Sequence, residues 1–393
     1  MSEDDTILQA ADFLKRPAAD TPLPHVRALQ LSGDVTLPFC WVPPGSLRIG
    51  SRDRYPDERP AAKVREERGF WLGQTAVTRQ QWRAVMGSVP DILFGAAERQ
   101  EQHPVVEINW FEALRFCLKL QETHFPKQPA PVTLGTALDE DPPNCRAVNW
   151  TDAPGFRLPS ESEWGYACRG AGKTCRGMMQ RPFGDGEEVL LREAWILDTS
   201  GQSTHPVDSS PEGSTPQPLG LRQLIGNVQE WTLDLYYDQR YPWMEHRADG
   251  FAHGNHRAVP FTPSKKVDVD LWLSAYNEGR LDEANMRATA AILERGGPPL
   301  LQQKLDQKFK VNLPLRVLRG GSWNFPAVNA TASFRDRGPA VDRGRYGGFR
   351  VCLSPRPAAS DTEAGPERQA EPGGARSGAD AQAGHSPRSG GKI

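Results

Sequence analysis

Leu318–Cys352 reads LRGGSWNFPAVNATASFRDRGPAVDRGRYGGFRVC. Its ends, RGGSW (319–323) and GGFRVC (347–352), set paired glycines against aromatic and apolar residues, as tight turns leading into core strands do. Between them the apolar residues follow neither a helical nor a strand period. The ends are expected to be fixed by a core. The middle is then an irregular segment held in place from both sides.

Outward from that segment the chain is strand, turn and short helix. In LPFCWVPPGSLRIGS, Phe39 and Trp41 alternate, Pro-Pro-Gly marks a turn, and Leu47 and Ile49 alternate again. VTRQQWRAVMG (77–87) has helical spacing, with Thr78 as N-cap and Gly87 as the stop. NWFEALRFCLKLQ (109–121) is a second helix, capped by Asn109. A third lies in RLPSESEWGYACRGA, where Ser160 followed by Glu163 forms a capping box.

Composition agrees with a loop-rich fold. The 393 residues include 37 Gly, 35 Pro and 11 Trp, and 38% are hydrophobic, enough for a core. A net charge of -2 gives no field that would draw nucleic acid or an anionic membrane. MSEDDTILQAADFLKRP lacks a secretory apolar region, and no run is long enough to span a membrane, so a cytoplasmic location is expected. The six cysteines include no CxxC pair and are expected to be free and buried. The domain reading is an N-terminal arm over 1–35 and a main domain over 36–354 with insertions near 124–155 and 238–312. A Pro/Gly/Ser-rich tail over 355–393 is expected to be disordered.

Six ordered phrases resemble the formylglycine-generating enzyme (sulfatase-modifying factor) family. They are WVPPGSLRIGS, FWLGQTAVTRQQWRAVMG, HPVVEINWFEALRFC, GFRLPSESEWGYACRGA, THPVDSSPEGSTPQPLGLRQLIGNVQEWTLDLY and RVLRGGSW…GGFRVC. The resemblance implies an α+β fold of the C-type-lectin-like kind, with much irregular backbone. It also implies that the GNVQEW loop can hold calcium through Asn227, Val228 and Glu230, oxygen ligands that suit a hard cation. A hydrogen-bonded turn without metal is the equal alternative. His103 and His205 each precede a proline and are expected to be structural. His253 and His256 read as an exposed loop.

The enzymes of this family use two cysteines, placed third and eighth after the serine of RGGS. Here those positions are Phe325 and Ala330. The thiolate pair that would bind a soft metal is missing, so no redox cofactor is expected and the reading leans away from an enzyme. The segment also resembles the variable proteins of diversity-generating retroelements, with Arg335, Pro339 and Arg343 as fixed supports. That likeness implies a non-catalytic ligand-binding protein with a diversified surface for protein recognition over 323–346. Its ligand-binding residues are Trp323, Phe325, Val328, Asn329, Phe334, Asp336, Val341, Arg345 and Tyr346. An associated effector protein is a further partner expectation. The alternative is a metal-dependent oxidoreductase of the same family.

Overall fold

The computed structural model describes residues 7–8, 10–52, 54–59, 61–90, 100–134, 148–150, 153–172, 186–212, 218–236, 251–253, 315–340 and 342–356. Among these the helices are short: α1 (Ala10–Phe13), α2 (Arg79–Met86), α3 (Trp110–His124), α4 (Glu161–Cys168) and α5 (Glu187–Glu193). Capping boxes start three of them. Thr78 Oγ1 accepts from the Gln81 N–H at 3.1 Å, and Gln81 Oε1 accepts from the Thr78 N–H at 2.9 Å. Asn109 pairs with Glu112 and Ser160 with Glu163 in the same reciprocal way. Gly87, at φ 86°, ends α2 in the left-handed region.

The largest sheet holds β1 (Ile7–Leu8), β2 (Val26–Gln30), β3 (Thr36–Val42), β6 (Phe70–Gly73), β9 (Gly155–Arg157) and β15 (Cys352–Ser354). Their spatial order is β1-β2-β3-β6-β15-β9. The GGFRVC phrase therefore ends in a central strand, with Cys352 opposite Leu72 on one side and Arg157 on the other. A second sheet of β10 (Gln229–Leu235), β12 (Leu315–Arg319), β13 (Arg335–Pro339) and β14 (Gly347–Gly348) runs in the order β13-β12-β10-β14. The irregular segment leaves this sheet at β12, re-enters at β13 and again at β14. Both of its ends are hydrogen-bonded into one platform. Two smaller sheets pair β4 (Gly45–Ile49) and β11 (Phe251–His253) with β5 (Ala62–Glu66), and β7 (Val132–Leu134) with β8 (Val148–Trp150).

The core beneath is aromatic. Trp82 stacks on Phe116 at 5.5 Å, and Phe349 meets both rings edge-on. Trp71, Trp110 and Trp164 are fully buried. Such a core is stiff because the rings interlock and have few rotamers.

The first 35 residues differ from the expected arm. Phe13 is fully buried and packs edge-on against Phe39 (5.5 Å) and Trp71 (5.3 Å). β2 pairs in full register with β3, from Val26 opposite Cys40 to Gln30 opposite Thr36. The strand escapes sequence reading because VRALQ buries only Leu29, leaving no clean alternation. Of the insertion near 124–155, Phe125 is buried and stacks on Phe156, β7 and β8 pair, and 135–147 lie outside the described residues. Of the insertion over 238–312 only β11 is described, and the tail beyond 356 lies outside the described residues.

Candidate functional site

Two glycines let the chain turn out of β12. Gly320 has φ 96°, and a Cβ there would stand 2.5 Å from the Leu224 carbonyl oxygen. Gly321 has φ 70°, with the Asn329 carbonyl 3.1 Å from where a Cβ would lie. Any side chain would push the turn off its neighbours.

Buried arginines then hold the segment. Arg319 donates to three successive carbonyls, those of Ala332, Ser333 and Phe334. Arg335 forms a fork with Glu161, Nε to Oε1 at 2.6 Å and Nη2 to Oε2 at 3.0 Å, and its Nη1 donates to the Asp57 carbonyl at 3.0 Å. Ser333 Oγ donates to Glu58 Oε2 at 2.9 Å. Arg343 donates to Glu112, the same carboxylate that closes the cap of α3. Arg350 forms a fork with Glu230 at 2.6 Å on both arms, and Trp164 Nε1 donates to Glu230 Oε2 at 2.7 Å. Bidentate pairs of this kind fix orientation as well as distance.

Asp234 belongs to this network. Its Oδ2 accepts the Glu161 N–H at 2.5 Å. Burial, reinforced by the Glu161 charge, pushes its carboxyl up to about 7.

The expected ligand residues fall into three groups. Phe325, Phe334 and Tyr346 come together: Phe325 meets Phe334 edge-on at 5.7 Å and lies 6.3 Å from Tyr346. Phe334 is only 8% exposed and supports the other two. Trp323 is 6% exposed, and the Arg345 guanidinium lies over its ring at 5.1 Å. Its backbone is clamped, since its N–H donates to the Asn227 carbonyl and its carbonyl accepts from Ser200 Oγ. Trp323 is thus mainly support for Arg345. Val328 is the most open, at 49%, with Asn329 half-buried beside it. Asp336 stands on β13, where Oδ2 accepts from Gln229 Nε2 at 2.6 Å. Val341 lies outside the described residues.

Sequence reading missed two contributors from distant segments. The large exposed hydrophobics among the described residues are Tyr55, Leu197, Val328 and Tyr346. Leu197 is tied to the segment through its N–H, which donates to the Phe325 carbonyl at 3.0 Å. Arg54 donates to the Val328 carbonyl at 2.5 Å and lies over the Tyr55 ring. All four are linked to one apolar patch. No sequence signal marked Tyr55 or Leu197, because their relation to the segment is tertiary.

The residues named for calcium do not fit that ion. Asn227 adopts φ 58°, and its Oδ1 accepts the His205 N–H at 3.0 Å. Its Nδ2 donates to the His205 carbonyl and to Gln223 Oε1, and its own carbonyl accepts from Trp323. Glu230 is engaged by Arg350 and Trp164. The oxygens a hard cation needs are already used. Val228 is buried in an apolar cluster with Ala76 and Val106. The arrangement is that of the hydrogen-bonded turn. His205 stacks on Trp195 at 3.6 Å, and His103 Nδ1 lies 2.9 Å from Thr204 Oγ1.

At the family's cysteine positions, Ala330 is fully buried and Phe325 faces the patch. Cys40, Cys117, Cys168 and Cys352 are free and buried. Burial raises the Cys117 and Cys352 thiols well above their ordinary range.

Residues 35–355 match the sulfatase-modifying factor enzyme 1-like domain. The chain belongs to this family. Within it, the chain is 24% identical over 217 residues to the chaperone protein LppX of Paenibacillus barcinonensis, covering 50% of this chain and 74% of that one. It is 27% identical over 180 residues to the formylglycine-generating enzyme of Mus musculus, covering 42% of this chain but only 34% of the enzyme. Among solved structures, Treponema denticola variable protein 1 superposes with a TM-score of 0.58 at 23% identity, covering 85% of this chain and all of that one. PvdO from Pseudomonas aeruginosa gives 0.51 at 18% identity, covering 83% of this chain and 97% of that one. These structures share its α+β, C-type-lectin-like fold. No helix among the described residues is long and apolar enough to cross a membrane.

Proposed function

We propose that this family member is a ligand-binding protein that presents residues 323–346 as a recognition surface for another protein. The observation that carries this is the gathering of Tyr55, Leu197, Val328 and Tyr346 around Phe325, on a segment clamped by buried arginines. Exposed aromatic and arginine side chains on a rigid support are the usual energetic anchors of protein interfaces. Rigidity also reduces the entropy lost on binding. The likeness to a protein titled as variable favours a surface whose side chains change while its frame persists. The frame here would be Arg319, Arg335, Arg343 and Arg350. The changing positions would be Phe325, Val328, Asn329, Phe334, Asp336, Val341, Arg345 and Tyr346.

The test is to sequence codons 318–352 in many cells and close isolates. Substitutions concentrated at those positions, with RGGSW and GGFRVC constant, are the expected result. A segment as invariant as its flanks refutes diversification. Purified protein that retains stoichiometric copper or iron through dialysis would turn the reading toward catalysis.

A further inference from the structure

At one end of the patch the chemistry changes from apolar to acidic. Gln229 is fully buried beneath it. Its N–H donates to the Tyr346 carbonyl at 2.7 Å, and its Nε2 donates to Asp336 Oδ2 at 2.6 Å. The same amide carries a buried Oε1 with no hydrogen-bond partner. A buried acceptor left unpaired costs about 1–3 kcal/mol, so such an oxygen calls for a donor. Asp336 makes no ion pair with the described residues, and neither does the exposed Asp342. Nearby guanidinium groups are turned to other partners: Arg335 to Glu161, Arg337 to Tyr236, Arg343 to Glu112 and Arg345 to the Trp323 ring.

Tyr346 completes the corner. It is 38% exposed, and its ring lies against Gly344, where a Cβ would stand 3.3 Å from Cε2. Its hydroxyl is pushed up by burial and then by the charges of Asp342 and Asp336, so both carboxylates act on the same spot.

We propose that Asp336, Asp342 and the Tyr346 ring form a subsite for one basic side chain of the bound protein, filled best by an arginine guanidinium. The guanidinium has a flat face for the ring and several N–H donors for the two carboxylates and Gln229 Oε1. An acidic or purely apolar side chain would leave the carboxylates and the amide oxygen without a donor. This deepens the recognition reading above and rests on it.

The experiment selects a random linear peptide library, displayed on phage, against the full chain. Recovered peptides are then measured against single variants. Enrichment in arginine is expected. Binding should fall about tenfold or more in Asp342→Asn and Asp336→Asn, and equally when citrulline replaces the peptide arginine. Asp342 is exposed, so Asp342→Asn remains informative even if Asp336→Asn disturbs folding. Peptides that lose binding in Phe325→Ala and Val328→Asp yet ignore Asp342→Asn overturn the subsite and leave the surface reading standing. Peptides indifferent to all four variants, or no recovered peptide, overturn both.

Discussion

Removing Arg335 should loosen the whole segment. Its guanidinium is 1% exposed and faces a fully buried Glu161 through two hydrogen bonds. Arg335→Met keeps much of the apolar stem and deletes the charge. It leaves the Glu161 carboxylate buried with Arg319 as its nearest remaining cation, at 3.7 Å. Breaking one partner out of a buried pair costs about 3–5 kcal/mol. Arg319 keeps part of the compensation, so the lower end, about 3 kcal/mol, is expected. For a domain this large each kcal/mol lowers Tm by about 2–4 °C, giving a fall of about 6–12 °C. Urea unfolding and calorimetry should agree. The double variant Arg335→Met/Glu161→Gln removes the stranded charge and should recover about 1 kcal/mol or more. A loss under about 1 kcal/mol in the single variant would put this pair in the class of exposed ion pairs and refute the clamp argument.

Asp234 should make stability fall as pH rises. Its folded carboxyl keeps a proton up to about pH 7, whereas the unfolded one releases it near 4. Unfolding therefore releases a proton in that window, and stability present below pH 4 is lost as pH climbs through 7. Asp234→Asn should flatten this slope in urea titrations, and an unchanged slope would show that the group titrates normally. Addition of calcium or its chelator EGTA should leave Tm within about 1 °C, since a ligand that does not bind shifts nothing. A concentration-dependent rise would show that calcium binds despite the side-chain geometry of Asn227 and Glu230. Asn227→Ala should cost about 1 kcal/mol more than Asn227→Gly, because only glycine relaxes freely at φ 58°. Phe325→Ala and Val328→Asp should weaken capture of surface-selected peptides about tenfold while moving Tm by under about 2 °C, read by titration and thermal melts.

Local signals were legible in the sequence wherever the deciding residues are neighbours in the chain. Thr78 with Gln81, Asn109 with Glu112 and Ser160 with Glu163 lie three residues apart, and each pair starts a helix as the capping box requires. The motif order, with Phe325 and Ala330 at the family's cysteine positions, was equally readable. β2 was not, because half-burial on one face erased its period. Glu161 and Arg335 are 174 positions apart, and Glu230 and Arg350 are 120 apart; only β-sheet pairing brings them together. Tyr55 and Leu197 join the patch for the same reason. The sequence by itself determined the helix starts, the family and the absence of the thiol pair, since these depend on residue identity and short spacing. Tertiary structure alone decided that Asn227 and Glu230 are engaged within the protein, that Trp323 is a support, and that an acidic corner borders the apolar patch. Those outcomes depend on which groups meet across the fold, and burial makes each such meeting energetically decisive.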